Sequence, residues 1–160
     1  MALIVQKYGG TSMGSTERIA QVAKRVAKWA RAGHQVVVVP SAMSGETNRL
    51  LALAKELAPG KPTQDYYREQ DMLAATGEQA SSALLAIALQ AEGRPAVSYA
   101  GWQVPIRTSN AYTKARIDSI DDQRVRADLD AGKVVIITGF QGVDEGGNIT
   151  TLARGGTDTS

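Results

Sequence analysis

Short apolar runs alternate with amphipathic segments along this chain. Four consecutive valines in the run Gln35–Val39 predict a strand that is buried on both faces. Before it, apolar residues recur at helical spacing over Ser15–Ala32, where Ser15 or Thr16 can cap the helix and Gly33 can end it. The alternation of strands and helices predicts an α/β fold with a largely parallel sheet and helices on both of its faces.

The same patterns predict the other elements of the chain. Further strands are expected at Ala2–Tyr8, Ala96–Ala100, Val104–Thr108 and Lys133–Thr138, of which the first and last look buried. Further helices are expected at Thr47–Leu57, Asp65–Glu92, with a break or bend near Thr76–Gly77, and Asp121–Ala131. The turn DEGGN between two β-prone pieces predicts a hairpin over Val143–Thr151. No repeat or linker divides the chain, so one domain is expected.

Composition limits the chemistry that is open to the chain. It has 160 residues, of which 43% are hydrophobic and 21% charged. The net charge is only +2 and the basic residues are scattered along the chain, which disfavours nucleic acid as a partner. The absence of cysteine excludes disulfides and thiolate metal sites, and the single histidine, His34, disfavours a histidine metal site or a catalytic triad. No uninterrupted apolar run approaches the ~20 residues of a membrane span, and no signal peptide precedes Lys7. We therefore expect a cytoplasmic protein without a membrane contact.

Segments rich in glycine and hydroxyl groups follow three of the predicted strands. They are KYGGTS (7–12), SAMSGETN (41–48) and GFQG (139–142). In open parallel sheets, ligands bind beyond the carboxyl ends of the strands. In the first segment Lys7, Gly9 and Gly10 precede a helix N-terminus, which favours a phosphate, although the chain has no Walker A motif. The alternative is a tight turn with a surface lysine.

Charged residues complete a candidate site for phosphoryl transfer. Glu78 lies in an apolar, alanine-rich helical segment, where a buried carboxylate needs a partner such as a ligand ammonium group. For a lone glutamate, the more frequent position is the solvent face. In ARGGTDTS, at the end of the chain, Arg154 suits a carboxylate or phosphate and Asp158 adds a carboxylate. This set fits phosphoryl transfer to an amino-acid acceptor without specifying which one.

Six segments in this order resemble the aspartate kinases of the amino-acid-kinase fold. They are VQKYGGTS (5–12), VVVVPSAMSGETNRL (36–50), DMLAATGEQ (71–79), GWQVPI (101–106), AYTKARI (111–117) and GFQGVDEGGNITTLARGGTDTS (139–160). The likeness covers essentially the whole chain. It implies a three-layer αβα sandwich and transfer of the ATP γ-phosphoryl group to the β-carboxylate of L-aspartate. The product, 4-phospho-L-aspartate, opens the biosynthesis of lysine, threonine and methionine.

The resemblance also implies roles for individual residues. Catalytic roles fall to Lys7 and Asp158. The nucleotide side comprises Lys7, Tyr8, Gly9, Gly10, Ser41 and Thr157. The aspartate side comprises Ser41, Thr47, Asn48, Glu78, Arg154, Gly155, Gly156 and Thr157, with Glu78 at the substrate amino group and Arg154 at its α-carboxylate. Mg²⁺ is expected on the ATP phosphates, without a dedicated protein site, and the full-length parent is expected to be a homo-oligomer.

Aspartate kinases are far longer than this chain. The resemblance therefore implies that residues 1–160 are the N-terminal, aspartate-binding part of the kinase domain, without the nucleotide-binding half and the regulatory ACT domains. Such a part is expected to be nearly inactive alone and to expose an apolar sheet edge. Two other interpretations stay open. One is a kinase of the same fold that acts on glutamate, acetylglutamate, carbamate or UMP, and the other is a non-catalytic fragment that binds an anion or assembles with a partner.

Overall fold

The computed structural model describes residues 1–104, 106–113, 117–120, 122–139 and 141–151. The helices in these ranges are α1 (Thr16–Arg31), α2 (Glu46–Leu57), α3 (Gln64–Ala91) and α4 (Gln123–Asp130). The strands are β1 (Leu3–Tyr8), β2 (Gln35–Pro40), β3 (Ala96–Tyr99), β4 (Ile106–Thr108), β5 (Ile117–Ile120), β6 (Val134–Ile137), β7 (Gln141–Val143) and β8 (Ile149–Thr151). All the predicted helices and strands are present, with bounds that differ by at most two residues.

The first sheet is fully parallel, with the strand order β1-β2-β6-β3. Its two faces bury different residues of the same strands. On one face Val36 and Val38 of β2 pack with residues of α1 and α3, among them Val26 and Leu89. On the other face Val37 packs with Val125 and Leu129 of α4 and with Tyr99 of β3. The predicted three-layer arrangement is confirmed, because both faces of the valine strand are covered.

Strand β1 lies at the edge of this sheet, which corrects the prediction that it is buried. Leu3 and Val5 are 55% and 61% exposed, while Tyr8 at the end of the strand is buried. The apolar run alone could not distinguish an edge strand from a central one, because the two differ only in the neighbours they acquire. The apolar sheet edge that the resemblance implied stays a prediction.

The later strands form a second sheet, where the sequence predicted only one. Its order is β5-β4-β7-β8, and β7 and β8 form the predicted hairpin. The backbone N–H of Asp144 donates to the carbonyl of Asn148 at 3.0 Å, and Gly147 has a φ of +79° in the turn. Strand β5 was not predicted. Strands of three or four residues carry too little periodicity to reveal which sheet they join.

Helix α3 runs without a break from Gln64 to Ala91, so the predicted interruption near Thr76–Gly77 is wrong. An isolated glycine inside a helix costs only about 1 kcal/mol, which the surrounding turns offset. Within the described ranges, α3 is the one helix long and apolar enough to cross a membrane by length and composition, although its sequence contains no long uninterrupted apolar run. Half of its most apolar window is buried inside the protein, as in the core helix of a globular domain.

Candidate functional site

The loops that follow β1 and β2 meet at the carboxyl end of the parallel sheet. A Cβ atom on Gly10 would lie 3.6 Å from both the carbonyl oxygen of Ala42 and the Cα of Ser44. One on Gly14 would lie 3.6 Å from the Cβ of Ser44. Because these glycines carry no side chain, the two backbones approach closely. The structure thus brings together the first two segments that the sequence selected.

The loop after β1 turns tightly into α1. The backbone N–H of Met13 donates to the carbonyls of Gly9 and Gly10, each at 3.2 Å. Ser15 caps the helix as predicted, since its Oγ accepts from the backbone N–H of Arg18 at 3.2 Å. Lys7 is the last residue but one of β1, and its side chain is exposed. A basic residue in the same strand–loop–helix unit as a helix N-terminus suits an anion.

Tyr8 contributes mainly to the structure of this loop. Its side chain is buried in the core, and its hydroxyl donates to Oε1 of Gln6 at 2.9 Å. Its carbonyl accepts from the backbone N–H of Ser41 at 2.8 Å, which fastens the second loop to the first. The expected contact of Tyr8 with a nucleotide stays a prediction.

The loop after β2 is fastened to α3 as well as to β1. Oγ of Ser81, on α3, donates to the carbonyl of Ser41 at 2.7 Å. Gly45, with a φ of +79°, leads into α2. Of the predicted ligands in this segment, Ser41 and Thr47 are half-buried and Asn48 is exposed.

Glu78 is the most unusual group at this end of the sheet. Its residue is 4% exposed, so it does not lie on the solvent face where a lone glutamate is usually found. Burial raises the pKa of its carboxyl to about 7, against an opposing effect of backbone hydrogen bonds, one of them from Ala42. Within the described ranges its Oε2 has no hydrogen-bond partner. A buried acceptor oxygen of this kind is suited to a donor supplied by a ligand.

Gly77 allows α3 to pack closely against the loop that follows β2. A Cβ on Gly77 would lie 3.1 Å from the Cβ of Ala42 and 3.7 Å from Cγ of Glu46. We expect Gly77→Val to push the loop away and to destabilise the protein by about 1–3 kcal/mol, because an overpacked contact displaces backbone. Thermal unfolding measures this effect. Ala80→Val places the same side chain at an exposed position of α3 and should cost much less; equal losses would contradict the packing argument.

Two further polar residues here escaped the sequence analysis. Ser82 and Thr138 are 1% and 2% exposed, and within the described ranges their hydroxyl oxygens have no hydrogen-bond partner. Thr138 follows β6, and Ser82 lies one helical turn after Glu78. In the sequence, Thr138 could have been noticed as a hydroxyl directly after an apolar strand, and Ser82 as a hydroxyl four residues after Glu78. Both are weak, because buried serine and threonine are often structural.

The last predicted group lies outside the described residues. It comprises Arg154, Gly155, Gly156, Thr157 and Asp158. For metal ions, the described ranges contain no group of three or more histidine, aspartate or glutamate side chains placed to hold one.

The chain is similar to known proteins in both sequence and fold. The model of the amino acid kinase family matches residues 2–160. The aspartate kinase of Pseudomonas fluorescens is 62% identical over 160 residues, which is all of this chain and 38% of that protein. The crystal structure of aspartate kinase from Synechocystis matches 98% of this chain and 25% of its own, with a TM-score of 0.77 and 45% identity.

A more distant structure supports the fold alone. Escherichia coli aspartokinase III, in complex with aspartate and ADP, matches 99% of this chain and 45% of its own, with a TM-score of 0.83 and 24% identity. The chain spans about 38% of the length of the curated relatives that it matches.

Proposed function

The chain belongs to the amino acid kinase family, and from that premise we propose that the protein carrying it is an aspartate kinase. It transfers the γ-phosphoryl group of ATP to the β-carboxylate of L-aspartate. The observation that carries the proposal is the buried Glu78 carboxyl, with an unpartnered oxygen, beside the loop that follows β2. The names of the similar proteins support aspartate as the acceptor.

The Glu78 carboxyl selects an acceptor with an ammonium group. Two opposite charges 4 Å apart attract by about 4 kcal/mol at an effective dielectric constant of about 20. That energy corresponds to about three pKa units. Burial places the pKa of the unliganded carboxyl at about 7, so a bound ammonium group is sufficient to hold Glu78 ionised at neutral pH. The ligand thus supplies a counter-charge that the described residues do not supply.

The loop after β1 receives the phosphates. In this proposal Lys7 neutralises the charge that develops on the phosphoryl group during transfer, and the backbone of Gly9 and Gly10, in the loop that leads into α1, lies along the phosphates. Mg²⁺ travels on the nucleotide phosphates. Arg154 and Asp158 complete the acceptor side and the catalytic set in this proposal. Residues 1–160 form the aspartate-binding part, and the adenine-binding part belongs elsewhere in a homo-oligomeric protein.

The test is an acceptor panel on the whole protein that carries these residues. MgATP is supplied with L-aspartate, L-glutamate, N-acetyl-L-glutamate, carbamate or UMP, and ADP release is measured. Hydroxylamine traps any acyl phosphate formed. We expect ADP release and hydroxamate with L-aspartate alone. Turnover of another acceptor would replace the proposal with a different kinase of the family, and no turnover would favour a binding or assembly role.

The pKa of Glu78 predicts a specific pH dependence. As the pH falls below about 7, the free carboxyl becomes protonated and loses its attraction for the substrate ammonium group. We expect kcat/KM for L-aspartate to fall by up to about tenfold per pH unit below 7, while kcat changes little, because only the free protein titrates there. L-Aspartate itself keeps one charge state between pH 5.5 and 8.5. Initial rates across that range measure the profile, and a flat kcat/KM would contradict it.

A further inference from the structure

Helix α3 carries two buried carboxylates, which differ in how far their oxygens are paired. Asp71 is 1% exposed, and its Oδ2 accepts from the backbone N–H groups of Thr113 and Thr151 at 2.9 and 2.8 Å. Its Oδ1 accepts from Oγ1 of Thr151 at 2.7 Å. These hydrogen bonds account for Asp71 as a structural residue. Glu78 is 4% exposed, but its Oε2 finds no hydrogen-bond partner in the part of the chain that the structure describes.

Two buried hydroxyl groups are unpartnered in the same way. They belong to Ser82 and Thr138, and neither has a hydrogen-bond partner among the described residues. A buried helical serine commonly donates to a carbonyl one turn earlier, as Ser81 does to that of Glu78 at 3.2 Å, but Ser82 does not. An unpartnered buried hydroxyl costs stability, and an alanine or valine in its place would avoid that cost. A purely structural role therefore does not explain these two side chains.

The contacts of α3 place Ser82 beside the loop that follows β2. The backbone of Ala42 is hydrogen-bonded to the Glu78 carboxyl. Oγ of Ser81 donates to the carbonyl of Ser41 at 2.7 Å. One turn of α3, which carries Glu78, Ser81 and Ser82, thus lies against the first two residues after β2.

Thr138 reaches the same level of the fold from the sheet. Val38 of β2 pairs with Ile136 of β6, so two residues further along Pro40 lies beside Thr138. The backbone N–H of Thr138 donates to the carbonyl of Tyr99 at 2.9 Å and continues the parallel ladder. Ile136 packs in the core between the sheet and helices α1 and α3, and alternate residues of a strand face the same side. Thr138 therefore faces these helices level with the end of β2, next to the loop that contacts Glu78.

We propose that Ser82 and Thr138 are positioning residues for Glu78, and that their hydroxyl groups donate hydrogen bonds, directly or through one bridging water molecule, to the carboxylate that receives the substrate ammonium group. This inference rests on the proposed function. Ser82 follows Glu78 by four residues, a spacing that leaves about 5–6 Å between Cβ atoms on one helix face. A carboxylate has about four acceptor positions, so the hydroxyls and the ligand can share it. Water molecules inside proteins typically join polar groups that are otherwise unpaired.

Neutral hydroxyls are suited to this role because the surrounding elements offer Glu78 no free charge. Strands β2, β3, β6 and β8 contain no aspartate, glutamate, lysine or arginine, and the charged residues of α1 are all exposed. The other titratable groups near this turn of α3 are exposed, paired or on the far face of the sheet, and they are Lys7, Tyr8, Glu46, Arg49, Asp71 and Tyr99.

Hydrogen bonds to the ionised form of a carboxyl lower its pKa. For Glu78 they would oppose burial, which raises the pKa to about 7. The two hydroxyls thus favour the charged carboxylate at the pH at which the substrate binds, and they restrict its orientation. Their loss should be felt when the free carboxyl is close to protonation and should be small well above its pKa.

The test is the pH profile of the whole protein that carries these residues, with MgATP and L-aspartate between pH 5.5 and 8.5. We expect Ser82→Ala and Thr138→Val each to move the acid limb of kcat/KM for L-aspartate upward by about half to one pH unit. That shift is a three- to tenfold lower kcat/KM at pH 6 and less than about a twofold loss at pH 8.5. Both kcat and KM for ATP should stay within about twofold of the parent values. Thr138→Ser keeps the hydroxyl and should keep the parent profile, and Thr76→Ala removes an exposed hydroxyl of α3 as the matched control.

The shift of the acid limb separates this role from a structural one, because a packing defect lowers activity similarly at every pH. Folded Ser82→Ala and Thr138→Val proteins with the parent's acid limb, or with equal losses at pH 6 and pH 8.5, would overturn the inference. A shift in one variant alone would restrict the role to that residue. Failure of both variants to fold would also overturn it, since the hydroxyls would then be structural.

The parent protein distinguishes this inference from the proposed function. A parent that does not phosphorylate L-aspartate would refute the proposed function, and this inference with it. A parent that is active but has a flat kcat/KM profile would refute the part that Glu78 plays, and again this inference. An active parent with an acid limb and unaffected variants would refute this inference alone.

Discussion

Glu78→Gln should lower kcat/KM for L-aspartate by roughly 10²- to 10³-fold, because it leaves the substrate ammonium group without its buried counter-charge. The amide keeps the size of the side chain, so the effect reports the charge. The loss should appear mainly as a higher KM, and KM for ATP should stay near the parent value. Glu69→Gln changes an exposed carboxyl on the same helix and serves as the control. A Glu78→Gln protein with a normal KM for L-aspartate would remove the main support for the proposed acceptor.

The same substitution should stabilise the unliganded protein at alkaline pH. The pKa of Glu78 rises from 4.5 to about 7 on folding, so folding takes up a proton between these values. The stability of the parent therefore falls as the pH rises through this window, and the full cost of the buried charge, on the order of 3 kcal/mol, is present above pH 7. Glutamine avoids this cost. Thermal unfolding at pH 5 and pH 8 should show a gain for the variant that grows with pH, and a loss at pH 8 would contradict the role of burial.

Lys7→Gln should lower kcat by roughly 10²- to 10³-fold and leave KM for L-aspartate little changed, because charge neutralisation matters most in the transition state. Its side chain is exposed near the end of β1, two residues before Gly9 in sequence. Steady-state kinetics with both substrates varied measure the two parameters separately. Lys24→Gln removes an exposed lysine from α1 and should leave kcat intact. A Lys7→Gln protein with unchanged kcat would show that this lysine is only part of a surface turn.

Local patterns predicted the first sheet and its helices well. The four valines indicated a central strand, and the serine before α1 indicated a cap, because both signals depend on neighbours in sequence. The edge position of β1 and the second sheet were not predictable in this way. Both depend on which strands pair, and β4, β5, β7 and β8 are too short to show a preference.

In the candidate site, too, local features were predictable from the sequence and contacts between distant residues were not. Glycine-rich loops after buried strands are a local signal, and the loops after β1 and β2 do meet. The sequence did not determine whether Glu78 is buried, because α3 also carries exposed polar residues. Asp71 was missed altogether, because an aspartate within a helix usually faces solvent and its partners lie 42 and 80 residues away.

Helix α3 carries Asp71, Gly77, Glu78 and Ser81, which contact three different parts of the chain. Because these residues lie on one unbroken helix, their angular positions around its axis are fixed relative to one another. Adding or removing a residue between Asp71 and Glu78 rotates one end of the set by about 100° relative to the other, so the two cannot be satisfied together. The exposed connection at residues 58–62, ahead of the Thr63 cap, carries none of these four residues. Changes in length are therefore tolerable before α3 and incompatible with its middle, whatever amino acid is inserted.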